Sequence, residues 1–152
     1  MKESLPSWEP PQIYMDIVSR YSRVFADGNK IQLDKTGWST IINNACYYIS
    51  LELERLPEEV AVGIFVAQIK SKFGGLRFYM SHDTPFIEGV IHMAEATSLH
   101  TCEVCGNIGK PITIGGWVTT LCDSDARREK LRLKEEYYRW QVEHAKPLKK
   151  DI

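Results

Sequence analysis

The chain has 152 residues, of which 43% are hydrophobic and 26% charged, and its formal net charge is −1. These values fit a globular chain with one core; they argue against two full-sized domains and against a strongly basic nucleic-acid protein. The sequence has neither a long apolar run for a membrane span nor the apolar region of a signal peptide. We therefore expect a cytoplasmic protein.

The first third of the chain predicts two amphipathic helices. Apolar residues recur at helical spacing over 12–26 and again over 38–56, where Pro57 ends the second pattern. Cys46 lies among apolar residues of the second helix. This environment predicts a small buried side chain rather than a metal ligand.

After Pro57 the apolar period changes, which predicts a β-hairpin. Its strands are expected over 60–70 and 76–80, on either side of a Gly-Gly pair. The second strand alternates between core and solvent, because successive side chains of a strand point to opposite faces. The predicted core side chains are Leu76 and Phe78, and the predicted exposed ones are Arg77 and Tyr79.

The remaining sequence predicts a third helix, a metal-binding segment and a charged C-terminal helix. The third helix is expected over 85–99, with Phe86 among its inward-facing residues. A zinc knuckle with a short hairpin is expected at about 100–125, and the charged helix at about 126–145. We thus expect residues 1–152 to form one α+β domain: helices with a β-hairpin core, an embedded zinc ribbon or knuckle, and a C-terminal helix.

Three of the four cysteines have the spacing of a zinc ribbon. Cys102 and Cys105 form a CxxC pair, and Cys122 follows at the interval that separates the two halves of a four-cysteine ribbon. The position expected for the fourth ligand holds Asp125, whose carboxylate can complete a tetrahedral site. The spacing therefore predicts one structural Zn²⁺ per chain. The alternative fourth ligands are His100 and His144.

Three stretches of the chain together resemble a known family. They are QIKSKFGGLRFYM at 68–80, AEATSLHTCEVCGNIGK at 94–110 and GWVTTLC at 116–122. The combination is similar to a family of small uncharacterised zinc-knuckle proteins of phages, prophages and bacteria, and covers about residues 60–125. The resemblance implies a zinc knuckle and a phage or mobile-element setting, and it implies no activity. Members of that family usually have Cys or His where this chain has Asp125.

The residues near the cysteines do not favour an enzyme. A zinc deaminase needs a glutamate two residues after a ligand, and a zinc protease needs HExxH or HxxEH. A phosphate-binding P-loop ends in GK followed by Ser or Thr. None of these motifs occurs in the sequence. A metal-dependent hydrolase therefore ranks third among the functions that we consider.

The function that the sequence favours is a non-enzymatic binding protein stabilised by zinc. Aromatic residues make up 11% of the chain and suit a protein interface. The phage setting implied by the resemblance points to a host or phage protein as the partner, for example a host or defence protein that is inhibited or redirected, and not to a membrane. The alternative is a nucleic-acid-binding regulator that uses the basic hairpin and the zinc ribbon. The contact residues predicted for a partner or nucleic acid are Lys70, Lys72, Arg77, Arg127 and Arg128.

Overall fold

A computed structural model of the protein describes residues 7–26 and 28–145, and this part of the chain forms helices and two small sheets. The mixed α+β class, the two hairpins and the C-terminal helix are confirmed. In chain order the elements are α1 (Gln12–Arg20), β1 (Ile31–Gln32), α2 (Ser39–Arg55), α3 (Glu58–Ala61), β2 (Val66–Lys72), β3 (Gly75–Met80), α4 (Pro85–Ser98), β4 (Lys110–Ile114), β5 (Trp117–Leu121) and α5 (Asp123–Glu143).

The first sheet has the strand order β1-β2-β3, with β1 parallel and β3 antiparallel to β2. The tight turn between β2 and β3 places Phe73 at φ 52° and Gly74 at φ 75°. Hairpin turns of this kind need positive φ at both central residues, which glycine adopts without strain. The turn fixes a register in which Ile69 pairs with Phe78 and Lys70 with Arg77.

Helix α4 packs against β3 and α2, and buried side chains of α1, α2, α4 and this sheet form the main core. Leu76 and Phe78 are buried and Tyr79 is exposed, as the alternation predicted. Arg77 is only half-buried, and its guanidinium donates a hydrogen bond of 3.0 Å to the Leu76 carbonyl. Cys46 is fully buried in this core, as expected, and burial raises the pKa of its thiol far above the ordinary range.

Two boundary predictions were wrong. Helix α1 ends at Arg20 rather than at residue 26, because Tyr21 leaves the helical region with φ −115° and ψ 47°. The first residues of the predicted strand over 60–70 belong instead to helix α3 and the turn after it. Pro57 precedes α3, and two glutamates in its first turn interact favourably with the helix dipole.

Phe86 was predicted to face inward but is 44% exposed. The inward face of α4 is instead occupied by Ile87, Ile91 and Ala94. The helix begins at Pro85, and the preceding Thr84 hydroxyl accepts a hydrogen bond of 3.3 Å from the Ile87 backbone N–H. Phe86 directly precedes Ile87, so it lies about 100° away around the helix axis, at the surface.

A second, much smaller hydrophobic cluster lies under the β4-β5 hairpin and the start of α5. Its buried members are Cys102, Ile114 and Leu121. Beyond Leu133 the side chains of α5 that are described are exposed. Among the described residues, no helix is long and apolar enough to cross a membrane.

The strand register can be tested with two neighbouring aromatic residues of β3. We predict that Phe78→Ala destabilises the protein by about 3–5 kcal/mol, because a buried ring leaves a cavity. Tyr79→Ala should lower the stability by about 1 kcal/mol at most, since its ring is exposed. Urea unfolding measures both values. A larger loss for Tyr79→Ala than for Phe78→Ala would mean that the strand has the opposite facing.

Candidate metal centre

Four potential metal ligands converge where the β4-β5 hairpin meets α5. The Sγ atoms of Cys102, Cys105 and Cys122 and a carboxylate oxygen of Asp125 all lie within 4.8 Å of one another. Cys102 and Asp125 are buried, Cys122 is half-buried and Cys105 is exposed. The cluster can hold one metal ion, and its ligands are the set predicted from the spacing.

Local backbone structure places each pair of ligands. Between Cys102 and Cys105 the chain turns back on itself, and the Gly106 N–H donates 2.9 Å to the Cys102 carbonyl. Gly106 adopts φ +78°, which a residue with a Cβ rarely takes. Cys122 is the N-cap of α5, and its sulfur accepts a hydrogen bond of 3.4 Å from the Asp125 N–H. The first turn of the helix thereby brings Asp125 beside Cys122.

The two oxygens of the Asp125 carboxylate have different partners. Oδ2 accepts hydrogen bonds from the thiols of Cys102 at 3.2 Å and Cys122 at 3.3 Å. Oδ1 accepts one of 3.1 Å from the Arg128 guanidinium, one turn along α5. One oxygen is thus directed at the sulfurs, while the other is held by a cation from outside the cluster. If the cluster holds a metal ion, Arg128 would be the outer partner that orients the carboxylate.

The ligands strongly influence one another's protonation. Hydrogen bonds from the thiols of Cys105, Cys102 and Cys122 lower the pKa of the Asp125 carboxyl. The backbone N–H of Asn107 lowers the pKa of Cys105, but the carboxylate and the other two thiols raise it, and the net pKa is about 12. The carboxylate is therefore ionised at neutral pH. A bound cation would favour loss of the thiol protons as well.

Neither alternative fourth ligand joins the cluster. His100 is exposed, and the metal-ligand group found among the described residues does not include it. His144 lies at the far end of α5, roughly 28 Å from Asp125 at about 1.5 Å of helix rise per residue. There its ring stacks on Trp140, with the centroids 4.8 Å apart. Asp125 is the fourth member of the group because the helix begins immediately after Cys122.

The residues that attach the knuckle to the main body were missed at the sequence level. Gly37 donates a hydrogen bond of 2.8 Å to the Glu103 carbonyl, and the Trp38 indole donates one of 2.9 Å to the Thr101 carbonyl. The Glu103 carboxylate, only 8% exposed, accepts from Lys35 at 3.0 Å and from the Thr119 hydroxyl. The contacts of Lys35, Gly37 and Trp38 join positions more than sixty residues apart, so no local sequence pattern predicts them.

The predicted contact residues fall into two groups. Lys70, Lys72 and Arg77 belong to the β2-β3 hairpin, where Lys70 and Arg77 are cross-strand partners. Arg127 and Arg128 are exposed on the first turns of α5. Arg128 is engaged by the Asp125 carboxylate and thus belongs to the metal centre rather than to a free basic surface.

No protein family matches the chain, and neither a curated protein nor a solved structure is significantly similar to it.

The close fit of the knuckle against Gly37 gives a test of its position. A Cβ on Gly37 would lie 2.1 Å from the Cys102 carbonyl oxygen, so Gly37→Ala must displace one backbone segment. We predict a loss of stability of at least about 1–3 kcal/mol, as for overpacking. The matched control is Gly89→Ala in α4, where a Cβ meets nothing within 4 Å. Because alanine favours a helix more than glycine does, this variant should be more stable by about 0.5–1 kcal/mol. Thermal unfolding measures both changes. A neutral Gly37→Ala variant would contradict this packing.

Proposed function

We propose that this protein is a non-enzymatic binding protein whose knuckle is folded around one structural Zn²⁺. The observation that carries the proposal is the convergence of three thiols and one carboxylate within 4.8 Å. Four protein groups fill a tetrahedral coordination shell and leave no position for a substrate or water, which is typical of structural zinc. Thiolate-rich tetrahedral sites select zinc over hard cations such as Mg²⁺.

The spacing of the ligand atoms fits zinc. Zinc–sulfur bonds of about 2.3 Å at tetrahedral angles separate two sulfurs by about 3.8 Å. The Sγ atoms of Cys105 and Cys122 are 3.7 Å apart, and those of Cys102 and Cys122 lie 3.2 and 3.3 Å from the Asp125 oxygen. Four anionic ligands around a divalent ion leave a net charge of about −2, which Arg128 partly offsets.

A structural role agrees with the surroundings of the cluster. Glu103, the carboxylate within the CxxC pair, is buried and bonded to Lys35 and Thr119, and is thus occupied in holding the knuckle in place. A general base would need a free carboxylate or imidazole near the metal. All four cysteines are free thiols, and we place the protein in the cytoplasm, where a reducing environment keeps such ligands available.

An apolar groove between α2 and α4 supports a protein as the partner. It encloses about 650 Å³ and is lined mainly by apolar side chains, among them Ile41, Tyr48, Phe86, Val90 and Met93. Phe86, Tyr48 and Met93 are exposed there at 44%, 50% and 69%. Aromatic and methionine side chains are adaptable contacts for an amphipathic helix laid into a groove. We assign such a helix of a host-cell protein, the setting implied by the family resemblance, as the ligand of this groove.

Metal analysis of purified protein tests the zinc site directly. We expect one equivalent of zinc in wild-type protein and in Cys46→Ala, which removes a thiol remote from the cluster. Cys105→Ser should bind zinc much more weakly. Asp125→Cys should retain or tighten zinc, whereas Asp125→Ala should weaken binding without abolishing it, because three thiolates remain. Substoichiometric zinc in freshly purified, fully reduced wild-type protein would contradict the proposal.

Removal of zinc should unfold the knuckle before the main body. The knuckle has only three buried hydrophobic residues of its own, so metal binding supplies most of its folding free energy. Hydrogen exchange after treatment with a chelator should show lost protection in β4 and β5, with β2 and β3 still protected. Simultaneous loss of protection in both sheets would show that the metal stabilises the entire fold. Unchanged exchange would show that the metal stabilises neither the knuckle nor the main body.

The groove can be tested with two variants that add the same charge at similar exposure. Met93→Glu places a carboxylate in the groove, and Val62→Glu places one at an apolar position outside it; the parent side chains are 69% and 67% exposed. A partner captured from host cytoplasm by wild-type protein and Val62→Glu should be lost with Met93→Glu. The purified partner should then bind with a negative heat-capacity change. Capture that is insensitive to Met93→Glu would overturn the assignment of the groove.

A further inference from the structure

The face of the first sheet opposite the main core is basic. Because side chains alternate along strands, the residues next to the buried Ile69 and Phe78 in the chain lie on this face. None of the outward-facing side chains is acidic, and all are exposed or half-buried. They are Gln32 of β1, Gln68, Lys70 and Lys72 of β2, and Arg77 and Tyr79 of β3.

The positive charges of this face lack carboxylate partners. In the part of the chain that the structure describes, Lys70, Lys72 and Arg77 take no part in the salt bridges. Lys70 and Arg77 are direct cross-strand partners, an arrangement of like charges that destabilises a sheet. A bound anion would relieve this repulsion. Since the net charge of the chain is −1, the basic face is a local feature and not a consequence of overall composition.

Aromatic rings stand beside the same cations. The Lys70 Nζ lies 5.9 Å from the centroid of Tyr79, and the Lys72 Nζ lies 5.6 Å from that of Phe73 at the hairpin turn. The two rings are 41% and 73% exposed. Phe73 holds a positive φ of 52°, which is unusual for a residue with a large side chain. Two accessible rings, each next to a cation, match a ligand that offers planar bases along an anionic backbone.

We propose that this face binds single-stranded nucleic acid. Lys70, Lys72 and Arg77 contact consecutive backbone phosphates, and unpaired bases stack on Tyr79 and Phe73. Stacking on exposed rings requires accessible base faces, which a duplex does not offer, so a single strand is the ligand. No ligand of the candidate metal centre and no residue of the α2/α4 groove belongs to this site, and the inference therefore goes beyond the proposed function.

The position of an acidic residue indicates which part of the face the strand occupies. Asp34 lies beside Gln32 and Trp8 in a small pocket at the β1 edge. Its negative charge disfavours phosphates there. The strand is thus placed over β2 and β3, where the three cations lie.

Fluorescence anisotropy with an oligothymidylate of about 16 nucleotides tests the charges. Three phosphate contacts predict a slope of log K against log salt of about −2, and the double variant Lys70→Gln, Lys72→Gln should reduce it to about −0.7. The matched control is Lys130→Gln, Lys134→Gln on α5, which changes the net charge equally and should leave the slope unaltered. Equal losses for both double variants would show a nonspecific charge effect and overturn the site.

The aromatic contribution is tested by two substitutions at one position. Tyr79→Phe keeps a ring and should bind as wild type does, whereas Tyr79→Leu should weaken binding about ten-fold, as expected for one lost base stack. Equal binding of Tyr79→Leu and Tyr79→Phe would overturn the stacking. If a duplex or polyglutamate binds as tightly as the single strand, the assignment of the ligand is overturned. Tight binding of polyglutamate would indicate that the ligand of this face is an acidic protein. Zinc content, measured in each variant, keeps these outcomes separate from failure of the metal site.

Discussion

Three cysteine thiols and one aspartate carboxylate lie close together, and the structure of the second half of the chain depends on this arrangement. Three thiols and a carboxylate lie within 4.8 Å, with little apolar packing around them. Without a cation, the thiols can approach the carboxylate only while they keep their protons and donate them. With a cation, all four groups can be charged, and their attraction to it replaces a hydrophobic core. The position of α5 and the closure of the β4-β5 hairpin both follow from where Cys122 and Asp125 must lie.

The sequence predicted much of this arrangement because the relevant signals are local. Helical periodicity, the Gly74-Gly75 turn and the CxxC spacing each involve residues close together in the chain, and α2, both hairpins and the ligand cluster agree with them. Asp125 was predicted from the zinc-ribbon spacing alone, and in the structure it lies beside Cys122 because α5 begins immediately after that residue. The exposed Phe86 was missed because apolar residues of α4 extend beyond its inward face, and the short α3 because apolar residues alone do not distinguish a short helix from a strand.

What could not be predicted is how the knuckle sits on the rest of the molecule. The Lys35 to Glu103 ion pair and the indole hydrogen bond of Trp38 join distant segments. Gly37 looks like an ordinary loop glycine in the sequence, yet a Cβ there would overlap the Cys102 carbonyl. Such close backbone approaches arise only from tertiary structure. The basic residues show the same limit of prediction from sequence. Arg128 and Lys70 were both predicted as contact residues for a partner or nucleic acid, but Arg128 is hydrogen-bonded to Asp125 at the candidate metal centre.

The knuckle also supports the turn between β2 and β3. The Thr120 hydroxyl donates a hydrogen bond of 2.6 Å to the Gly74 carbonyl, and a Cβ on Gly74 would lie only 3.1 Å from the Val118 side chain. The turn that presents Phe73 is therefore packed against the strand that leads into Cys122. Loss of metal would loosen this support, while the register of β2 and β3 rests on the main core. Phosphate contacts from Lys70 and Arg77 should consequently persist in metal-free protein, and stacking on Phe73 should be the first contribution to weaken.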